Sequence, residues 1–498
     1  MKEPIKIYGP PGTGKTFRLI RRVNAYVRTG TPYHKIGYFA FTKKAAKEAR
    51  ERIGVDEKQV PYFQTLHAFC FHLLNLNESD IMQPHHYEAL GKKLNIRVNF
   101  NDKYNEEQTH FLTCNNPYFQ MIQRSINKDI PLREEFNLNE HDRKDIDSWD
   151  TLNHIYINLQ EYKTKMHLLD FNDLVKKVVN SKKFPKLKAV FIDEAQDLSR
   201  SQWAMAKSIW EKTQDTFIAG DDDQAIFRWA GADVDSFIAQ TGKIVQLTQS
   251  YRIPQVVHDV ATKIVNRIQH RLPKEWRPKT QRGLISYYDE FKQINMKQGN
   301  WLVLARTRFM LNELEEQLYS QGLYYENKYK TNKEQDLYKA VTDWENVRKG
   351  VNINYDQVER IASYMSQNHF EKQALKYMNK DTNYDMAGLR ERVWLKTDKV
   401  WYEAFDQAPS RSIRYIRRMR ENGEKLNSSP RITLSTIHGV KGGEQDNVVL
   451  LTDLSRNTQV NYEKNPDDEN RLFYVGSTRA KHHLHIVRPK DTYKGYKI

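Results

Sequence analysis

The residues that decide the fold are Gly9-Pro10-Pro11-Gly12-Thr13-Gly14-Lys15-Thr16, which match the pattern G-x-x-x-x-G-K-[ST]. The apolar run Ile5 to Tyr8 precedes them and a helical pattern follows, so the sequence predicts a strand, a glycine-rich loop and a helix. Backbone N–H groups at such a helix N-terminus close around phosphate oxygens. Lys15 is then expected to reach the outer phosphates, and the Thr16 hydroxyl to ligate Mg²⁺. A glycine-rich turn that binds nothing would not explain Lys15 and Thr16 at these offsets.

A P-loop needs a second Mg²⁺ anchor at the end of another strand, and the sequence offers one at positions 190–194. The apolar residues Val190 to Ile192 are followed by Asp193 and Glu194. Asp193 is expected to hold the metal, while Glu194 orients and deprotonates the attacking water. An apolar run ending in two carboxylates is weak evidence alone, but together with the P-loop it predicts a nucleotide-hydrolysing site.

The composition narrows the class of protein. The chain has 498 residues and a formal net charge of +16, which brings polyanions into the list of partners. No apolar run approaches the roughly 20 residues that cross a bilayer, so no membrane partner is predicted. The two cysteines, Cys70 and Cys114, form no CxxC pair, which argues against a disulfide framework or a zinc site. With no signal-like N-terminal stretch, the expected location is cytoplasmic, either bacterial or the host cytoplasm for a phage-encoded protein.

The order of elements predicts an α/β fold with parallel sheets flanked by helices. Two α/β series are visible, each interrupted by a polar, mainly helical stretch. Residues 1–76 and 169–242 are predicted to form the first domain, with 77–168 as its insertion. Residues 243–328 and 430–498 are predicted to form the second, with 329–429 as a small, mainly helical insertion.

Several stretches resemble motifs of the UvrD/Rep/PcrA branch of superfamily 1 helicases. Asp193-Glu194-Ala195-Gln196-Asp197 resembles the second motif, and Gly220-Asp221-Asp222-Asp223-Gln224, continuing to Trp229, resembles the third. Further similar stretches follow the family order: Phe41–Ala46, Thr65–Phe69, Asp170–Leu174, Gln249–Arg252, Thr436–Glu444 and Tyr474–Ala480. The matches run from Gly9 to Ala480, and both insertions carry none.

This resemblance implies two RecA-like P-loop NTPase domains with ATP bound between them. Arg252 and Arg479 resemble two arginines of the second domain that meet the γ-phosphate across the cleft. By the same resemblance, Gln224 senses the γ-phosphate and Glu444 contacts the ribose. Tyr251 is expected to stack on adenine, with core packing as the open alternative.

The resemblance also implies a single-stranded DNA track, with single-strand/duplex junctions as substrates. Trp229 is expected to stack on a base, since aromatic platforms serve strands of any sequence. The residues that resemble other strand contacts are Phe41, Thr65, His67 and His438. Phe41 could equally pack in the core, and a structural role is the open alternative for the two histidines. RNA stays possible as the track, because stacking does not distinguish the two sugars.

The leading interpretation is an ATP-dependent DNA helicase that moves 3′-to-5′, with polarity taken from the resemblance of Gly220–Gln224. The alternative is a DNA-stimulated ATPase that acts as a switch or remodeller without processive unwinding. Two departures from the family pattern favour that alternative. Ala230 follows Trp229 where the family commonly has Arg, and only eight residues precede Gly9, where members carry an adenine-reading segment.

Overall fold

The structure is a computed structural model that describes residues 3–100, 114, 116–138, 145–330, 334–425, 429–491 and 493–498. Its strands, in chain order, are β1 (Ile5–Tyr8), β2 (Ile36–Ala40), β3 (Phe63–Thr65), β4 (Ala189–Ile192), β5 (Asp215–Gly220), β6 (Lys243–Gln246), β7 (Leu284–Tyr288), β8 (Trp301–Ala305), β9 (Tyr325–Asn327), β10 (Ile432–Thr436), β11 (Gln445–Leu451) and β12 (Ala480–Val487).

The α-helices of the described chain are α1 (Lys15–Arg28), α2 (Lys43–Ile53), α3 (Leu66–Leu73), α4 (Pro84–Lys93), α5 (Pro117–Lys128), α6 (Leu132–Leu138), α7 (Trp149–Met166), α8 (Phe171–Ser181), α9 (Arg200–Trp210), α10 (Val234–Ala239), α11 (Gln255–Val265), α12 (Met310–Gln321), α13 (Gln335–Arg348), α14 (Tyr355–Ala362), α15 (Met386–Arg392), α16 (Trp401–Ala404), α17 (Ser410–Glu421), α18 (Arg456–Lys464) and α19 (Pro466–Ser477).

Two six-stranded sheets form the centres of two domains. The first has the strand order β3-β2-β4-β5-β1-β6, and the second β7-β12-β11-β8-β10-β9. Every pairing between these strands is parallel. The α/β prediction, with parallel sheets flanked by helices, is therefore confirmed.

Helix starts and ends follow the local sequence. α2 begins after Thr42, whose side chain accepts a hydrogen bond from the Ala45 backbone, and ends at Gly54 with φ 76°. α8 begins after Asp170, whose carboxylate accepts from the Asn172 and Asp173 backbones. Because such caps depend on adjacent residues, the starts of these helices are determined by the local sequence.

One domain boundary needs correction. β6, which the predicted boundary at residue 243 assigns to the second domain, pairs with β1 at the edge of the first sheet. Its four residues are exposed or only partly buried, as in an edge strand, and Ile244 is exposed. The edge strands β7 and β9 were not predicted from the sequence, because both are short and only partly buried.

Each insertion has an apolar core of its own. In the first, α4, α5 and α7 pack around residues that include Leu90, Met121 and Leu152. The two chain segments that connect it to the first domain lie next to each other, since Ile81 and Leu169 form a parallel bridge. The second insertion, with α13 to α17, packs around Trp344 and other buried residues.

A continuous cluster of buried apolar side chains joins the two domains. It includes Ile192 and Ile218 of the first sheet, Leu304 of the second, and Phe473 of α19. The domains therefore share a core close to the ends of their central strands. Among the described residues, no helix is both long enough and apolar enough to cross a bilayer.

Candidate functional site

The phosphate-binding loop joins β1 to α1. Gly12 and Gly14 have φ angles of 74° and 81°, which glycine adopts without the steric cost of a Cβ. A Cβ on Gly12 would also lie 2.4 Å from the Cβ of Arg252, so glycine permits a close approach there. α1 begins at Lys15, which leaves the first N–H groups of the helix facing the loop. The buried Lys15 ammonium donates to the Gly9 carbonyl at 2.8 Å, inside this cradle. The loop therefore offers a phosphate both amide donors and a cation.

Thr16 and Asp193 meet beside the loop. The Thr16 and Tyr38 hydroxyls both donate to Asp193 Oδ2, each at 2.7 Å. Burial, with Glu194 nearby, raises the pKa of Asp193 to about 6. A buried carboxylate with a raised pKa gains most from a hard cation at its oxygens, so Thr16 and Asp193 fit Mg²⁺. No cluster of three His, Cys, Asp or Glu that could hold a metal occurs among the described residues, and a P-loop magnesium site requires none.

Glu194 follows β4 with a left-handed φ of 53°, which turns its side chain away from the strand direction. Its carboxylate accepts a hydrogen bond from Gln196 Nε2 at 2.5 Å. Burial opposes ionisation, but the Lys441 and Lys15 ammonium groups hold the pKa of Glu194 below its ordinary value. Glu194 is therefore ionised at neutral pH and able to accept a proton from water.

Arg479 lies between α19 and β12 and reaches the cleft from the second domain. Its Nη2 donates to Gln224 Oε1 at 3.2 Å, and its Nε donates to the Val475 carbonyl at 2.9 Å. Burial and the nearby Arg252 lower the pKa of Arg479 to about 9, so it is still cationic at neutral pH. The structure thus brings a second-domain cation against a first-domain glutamine.

Arg252 approaches the cleft differently from the prediction that placed it on the second domain. The Ser250 hydroxyl donates to the Pro11 carbonyl at 2.8 Å, and the Tyr251 N–H donates to the Gly12 carbonyl at 2.9 Å. This segment follows β6, so Arg252 stands at the domain junction, tied to the P-loop itself. Its guanidinium forms an ion pair with Glu444, the residue predicted to contact ribose.

One interdomain cleft of about 370 Å³ is lined by Lys15, Thr16, Glu194, Gln224, Arg252, Glu444 and Arg479. Tyr251 lies at its edge with 76% of its surface exposed, which leaves a ring face available to a base and argues against core packing. Lys441, which the sequence analysis missed, also lines the cleft. It forms an ion pair with Asp197 and donates to the Gln224 carbonyl at 2.8 Å.

A separate groove of about 950 Å³ contains two of the predicted strand contacts. Trp229 is 54% exposed, and the His438 ring stands perpendicular to it, with centroids 6.1 Å apart. Burial and the charge of Arg306 lower the pKa of His438 to about 3. His438 is therefore neutral and can contribute a ring face or a hydrogen bond, but no charge.

The other predicted strand contacts lie inside the first domain. Thr65 is buried, and its hydroxyl caps α3 by accepting from the Ala68 backbone at 3.2 Å. His67 is buried with its ring against Phe171, and burial lowers its pKa to about 4. Phe41 stacks beneath Phe227, a groove residue, with ring centroids 5.5 Å apart. In this conformation, direct strand contact is therefore open to Trp229 and His438, while Phe41 supports the groove from below.

Comparison with known families agrees with this geometry. The model of the UvrD/REP helicase N-terminal domain matches residues 1–244, and that of the UvrD-like helicase C-terminal domain matches residues 431–487. Together the two models cover more than half of the chain. The chain belongs to the UvrD/REP helicase family.

Similar curated proteins include two named ATP-dependent DNA helicase PcrA, one from Staphylococcus epidermidis and one from Staphylococcus aureus. Each is 24% identical over 317 residues, which is 57% of this chain and 41% of the relative. The chain thus matches less than half the length of these relatives. A solved structure of the PRRSV helicase aligns with 97% of this chain and 52% of its own, at 10% identity. Its TM-score of 0.34 is too low to inform the fold.

This family member carries cations in its groove that the sequence analysis did not select. They are Arg124, Lys128, Arg200, Arg228, Arg306, Arg308 and Lys464. Some are bound to acids: Arg228 pairs with Asp468 at 2.9 Å, and Arg306 donates to both oxygens of Glu469. Only Arg228 could have been selected from the local sequence, because it directly precedes Trp229, the predicted stacking residue. The others lie on separate segments, so no spacing in the sequence could group them.

Proposed function

We propose that this protein is an ATP-dependent DNA helicase and translocase that binds single-stranded DNA and unwinds duplexes at single-strand/duplex junctions. Residues 77–168 and 329–429 are its insertions. The observation that carries the proposal is the contact of Arg479, from the second domain, with Gln224 in the cleft that holds the P-loop and Glu194. Such a site hydrolyses nucleotide efficiently only when the domains are closed.

In this proposal the first domain binds the triphosphate. The loop residues Gly9 to Thr16 surround the phosphates with backbone amides, and Lys15 exchanges the Gly9 carbonyl for phosphate oxygens. Thr16 and Asp193 would hold Mg²⁺, which neutralises charge on the phosphates when bound. Glu194 orients a water and takes its proton as the water oxygen bonds to the γ-phosphorus and the β–γ bridging oxygen leaves.

The cations at the domain junction then complete the site. Arg479 and Arg252 stabilise the charge that develops on the γ-phosphoryl oxygens. Arg252 must exchange Glu444 for phosphate, which releases Glu444 towards the ribose. Tyr251 provides the exposed ring that stacks on adenine. Gln224 touches Arg479 and Asp221, so it can report the state of the γ-phosphate to both domains.

The DNA strand lies in the groove of about 950 Å³ that contains Trp229 and His438. Trp229 stacks on a base, and the groove cations contact phosphates without reading sequence. The groove walls come from both domains, including Arg228 of the first and Arg306 of the second. Closure of the cleft would therefore move one strand contact relative to the other, which is the basis of translocation.

The test is ATP turnover with and without single-stranded DNA. We expect stimulation by DNA, and loss of turnover in Lys15→Ala, Glu194→Gln and Arg479→Ala. Glu194→Gln should still bind ATP, because the phosphate donors are intact. Turnover that DNA leaves unchanged would contradict the proposal, and equal stimulation by RNA would remove its restriction to DNA.

Polarity has its own test. Movement 3′-to-5′ is proposed from the similarity of Gly220–Gln224 to the family motif. A duplex with a 3′ single-stranded tail should be unwound and a 5′-tailed duplex of the same sequence should not. The reverse pattern would refute the polarity while leaving the ATPase proposal in place.

A second candidate is a DNA-stimulated ATPase switch or remodeller that does not unwind processively. Ala230 favours it, because this position offers the strand no side-chain cation. The buried Ala230 uses its carbonyl to accept from Asn127 Nδ2 at 2.7 Å, which ties the groove to the first insertion. DNA-stimulated turnover without strand separation on either tailed duplex would support this candidate over the helicase.

A further inference from the structure

Three consecutive buried aspartates precede Gln224. Asp221, Asp222 and Asp223 have 0%, 0% and 1% of their surfaces exposed. Fully buried carboxylates are rare, because loss of hydration is costly unless cations and hydrogen bonds compensate. Three in a row beside the γ-phosphate sensor therefore require a specific set of partners.

Lys274 is the shared partner. Its fully buried ammonium lies 3.2 Å from Asp221 Oδ1 and 2.9 Å from Asp223 Oδ2, and it forms a third ion pair with Asp222. Arg271 contributes a second cation, donating to the two oxygens of Asp223 at 2.8 and 2.7 Å. The two cations divide their contacts, since only Lys274 of the pair forms an ion pair with Asp221.

These cations lie between α11 and β7, and the same stretch is tied to the second domain. The backbone N–H groups of Gln269 and His270 donate to Asp467 of α19, at 2.9 and 3.0 Å. Arg471 of α19 donates to the Asp222 carbonyl at 3.0 Å. The aspartates thus belong to the first domain, and their cations to a segment that contacts both domains, since the Glu275 carbonyl also accepts a hydrogen bond from Gln246 of β6 at 3.1 Å.

A short path leads from Lys274 to the reacting centre. Asp221 gives one oxygen to Lys274 and accepts with the other from Gln224 Nε2 at 2.7 Å. A carboxylate can only accept and a guanidinium can only donate, so the Gln224 amide must turn its nitrogen to Asp221 and its oxygen to Arg479. The Asp221 N–H also donates to Gln196, whose Nε2 holds Glu194.

We propose that Lys274 is a positioning residue for ATP hydrolysis, which fixes Asp221 and through it the orientation of Gln224 towards Arg479. This inference rests on the proposed function. Without the ammonium, Asp221 Oδ1 keeps only the 3.3 Å hydrogen bond from the Asp223 backbone N–H, and the Gln224 amide can rotate away from Arg479. Lys274 thereby connects the interdomain segment to the sensor without touching nucleotide.

The test is a double-mutant cycle of Lys274→Met and Gln224→Ala, with kcat measured at saturating ATP and single-stranded DNA. Lys274→Met is expected to lower kcat about 100-fold, as misplaced catalytic groups do, and to leave KM for ATP within about threefold. On the Gln224→Ala background, Lys274→Met should change kcat by less than about twofold, because the residue through which it acts is gone.

Two further variants separate positioning from stability. Arg271→Met removes a cation of the same cluster that contacts Asp223 but not Asp221, and it should lower the melting temperature while keeping kcat within about threefold. Asp221→Asn keeps the shape and removes one buried charge, so it remains informative if Lys274→Met does not fold. Asp221→Asn should lower kcat in the unmodified protein, and it should leave kcat nearly unchanged on the Gln224→Ala background.

The outcomes are distinct. The inference is wrong if the fold-losses in kcat caused by Lys274→Met and Gln224→Ala multiply in the double mutant. It is also wrong if Arg271→Met lowers kcat as much as Lys274→Met does. In either case the cluster serves stability alone. If Lys274→Met does not fold, the cycle of Asp221→Asn with Gln224→Ala replaces it. Independent effects of these two substitutions on kcat would also overturn the inference. If the unmodified protein shows no DNA-stimulated turnover above the rate of the Lys15→Ala control, the proposed function itself fails.

Discussion

Removing the Arg479 guanidinium tests whether the cleft is completed from the second domain. An arginine that stabilises a transferring phosphoryl group contributes about 10³ to 10⁵ in kcat. Arg252 lines the same cleft and keeps its charge in Arg479→Ala, so we expect the lower end, a loss of about 10³, equivalent to about 4 kcal/mol. KM for ATP should change much less, because the P-loop contacts remain.

Arg479 is also a buried cation bonded to the Val475 carbonyl, so its truncation will destabilise the fold by about 1–3 kcal/mol. Phosphate release should therefore be measured well below the melting temperature, with saturating single-stranded DNA. Arg488→Ala is a matched control. Arg479 directly precedes β12 and Arg488 directly follows it, where the exposed Arg488 pairs with Asp289. Arg488→Ala should leave turnover unchanged.

The result that refutes this reasoning is specific. If Arg479→Ala is folded, binds ATP and keeps more than about a tenth of wild-type kcat, the guanidinium does not act on the transition state. The second-domain contact with Gln224 would then be structural, and hydrolysis would rely on first-domain and junction residues alone.

Three further predictions concern the strand and the pH dependence of folding. Trp229→Ala should weaken single-stranded DNA binding by about 1–3 kcal/mol in fluorescence anisotropy, and an unchanged Kd would exclude base stacking there. Asp468→Asn releases Arg228 from a partly exposed ion pair worth under about 1 kcal/mol, so affinity should rise by up to about fivefold at low salt; no change would place Arg228 off the strand path. Burial lowers the pKa of His67 from 6.5 to about 4, so the unfolded chain binds the extra proton first. The contribution of neutral His67 to the free energy of unfolding is therefore complete above pH 6.5 and falls towards pH 4, by about 2 kcal/mol at pH 5. In denaturation measurements, His67→Gln should make the free energy of unfolding less dependent on pH in this range.

Much of the central fold could be predicted from local pattern. β1 was predicted at its observed bounds, and the predicted apolar run Val190 to Ile192 lies within β4, because buried parallel strands are short, continuous apolar runs. The edge strands β6, β7 and β9 were misassigned or missed, since half-exposed strands carry a weaker signal. Local pattern marks a strand, but the sheet that it joins depends on distant pairing.

The candidate site divides in the same way. Lys15, Thr16, Asp193 and Glu194 could be predicted as site residues because their proposed chemistry depends on spacing within a loop or at a strand end. Lys441 lies within the family-like stretch Thr436–Glu444, but its spacing there assigned it no role, and its contact with Asp197 spans 244 positions. Thr65 and His67 lie in a family-like stretch, but their side chains are buried in the first domain, which the stretch alone does not reveal.

The sequence by itself determined that the chain has a P-loop, two α/β series and an ordered set of helicase-like motifs, because loop geometry and strand burial follow from neighbouring residues. Only the tertiary structure decided that β6 completes the first sheet, that Arg252 stands at the junction, and that Lys274 holds three aspartates about 50 positions away. Buried charges are stable only beside their partners, and folding brings those partners from remote positions.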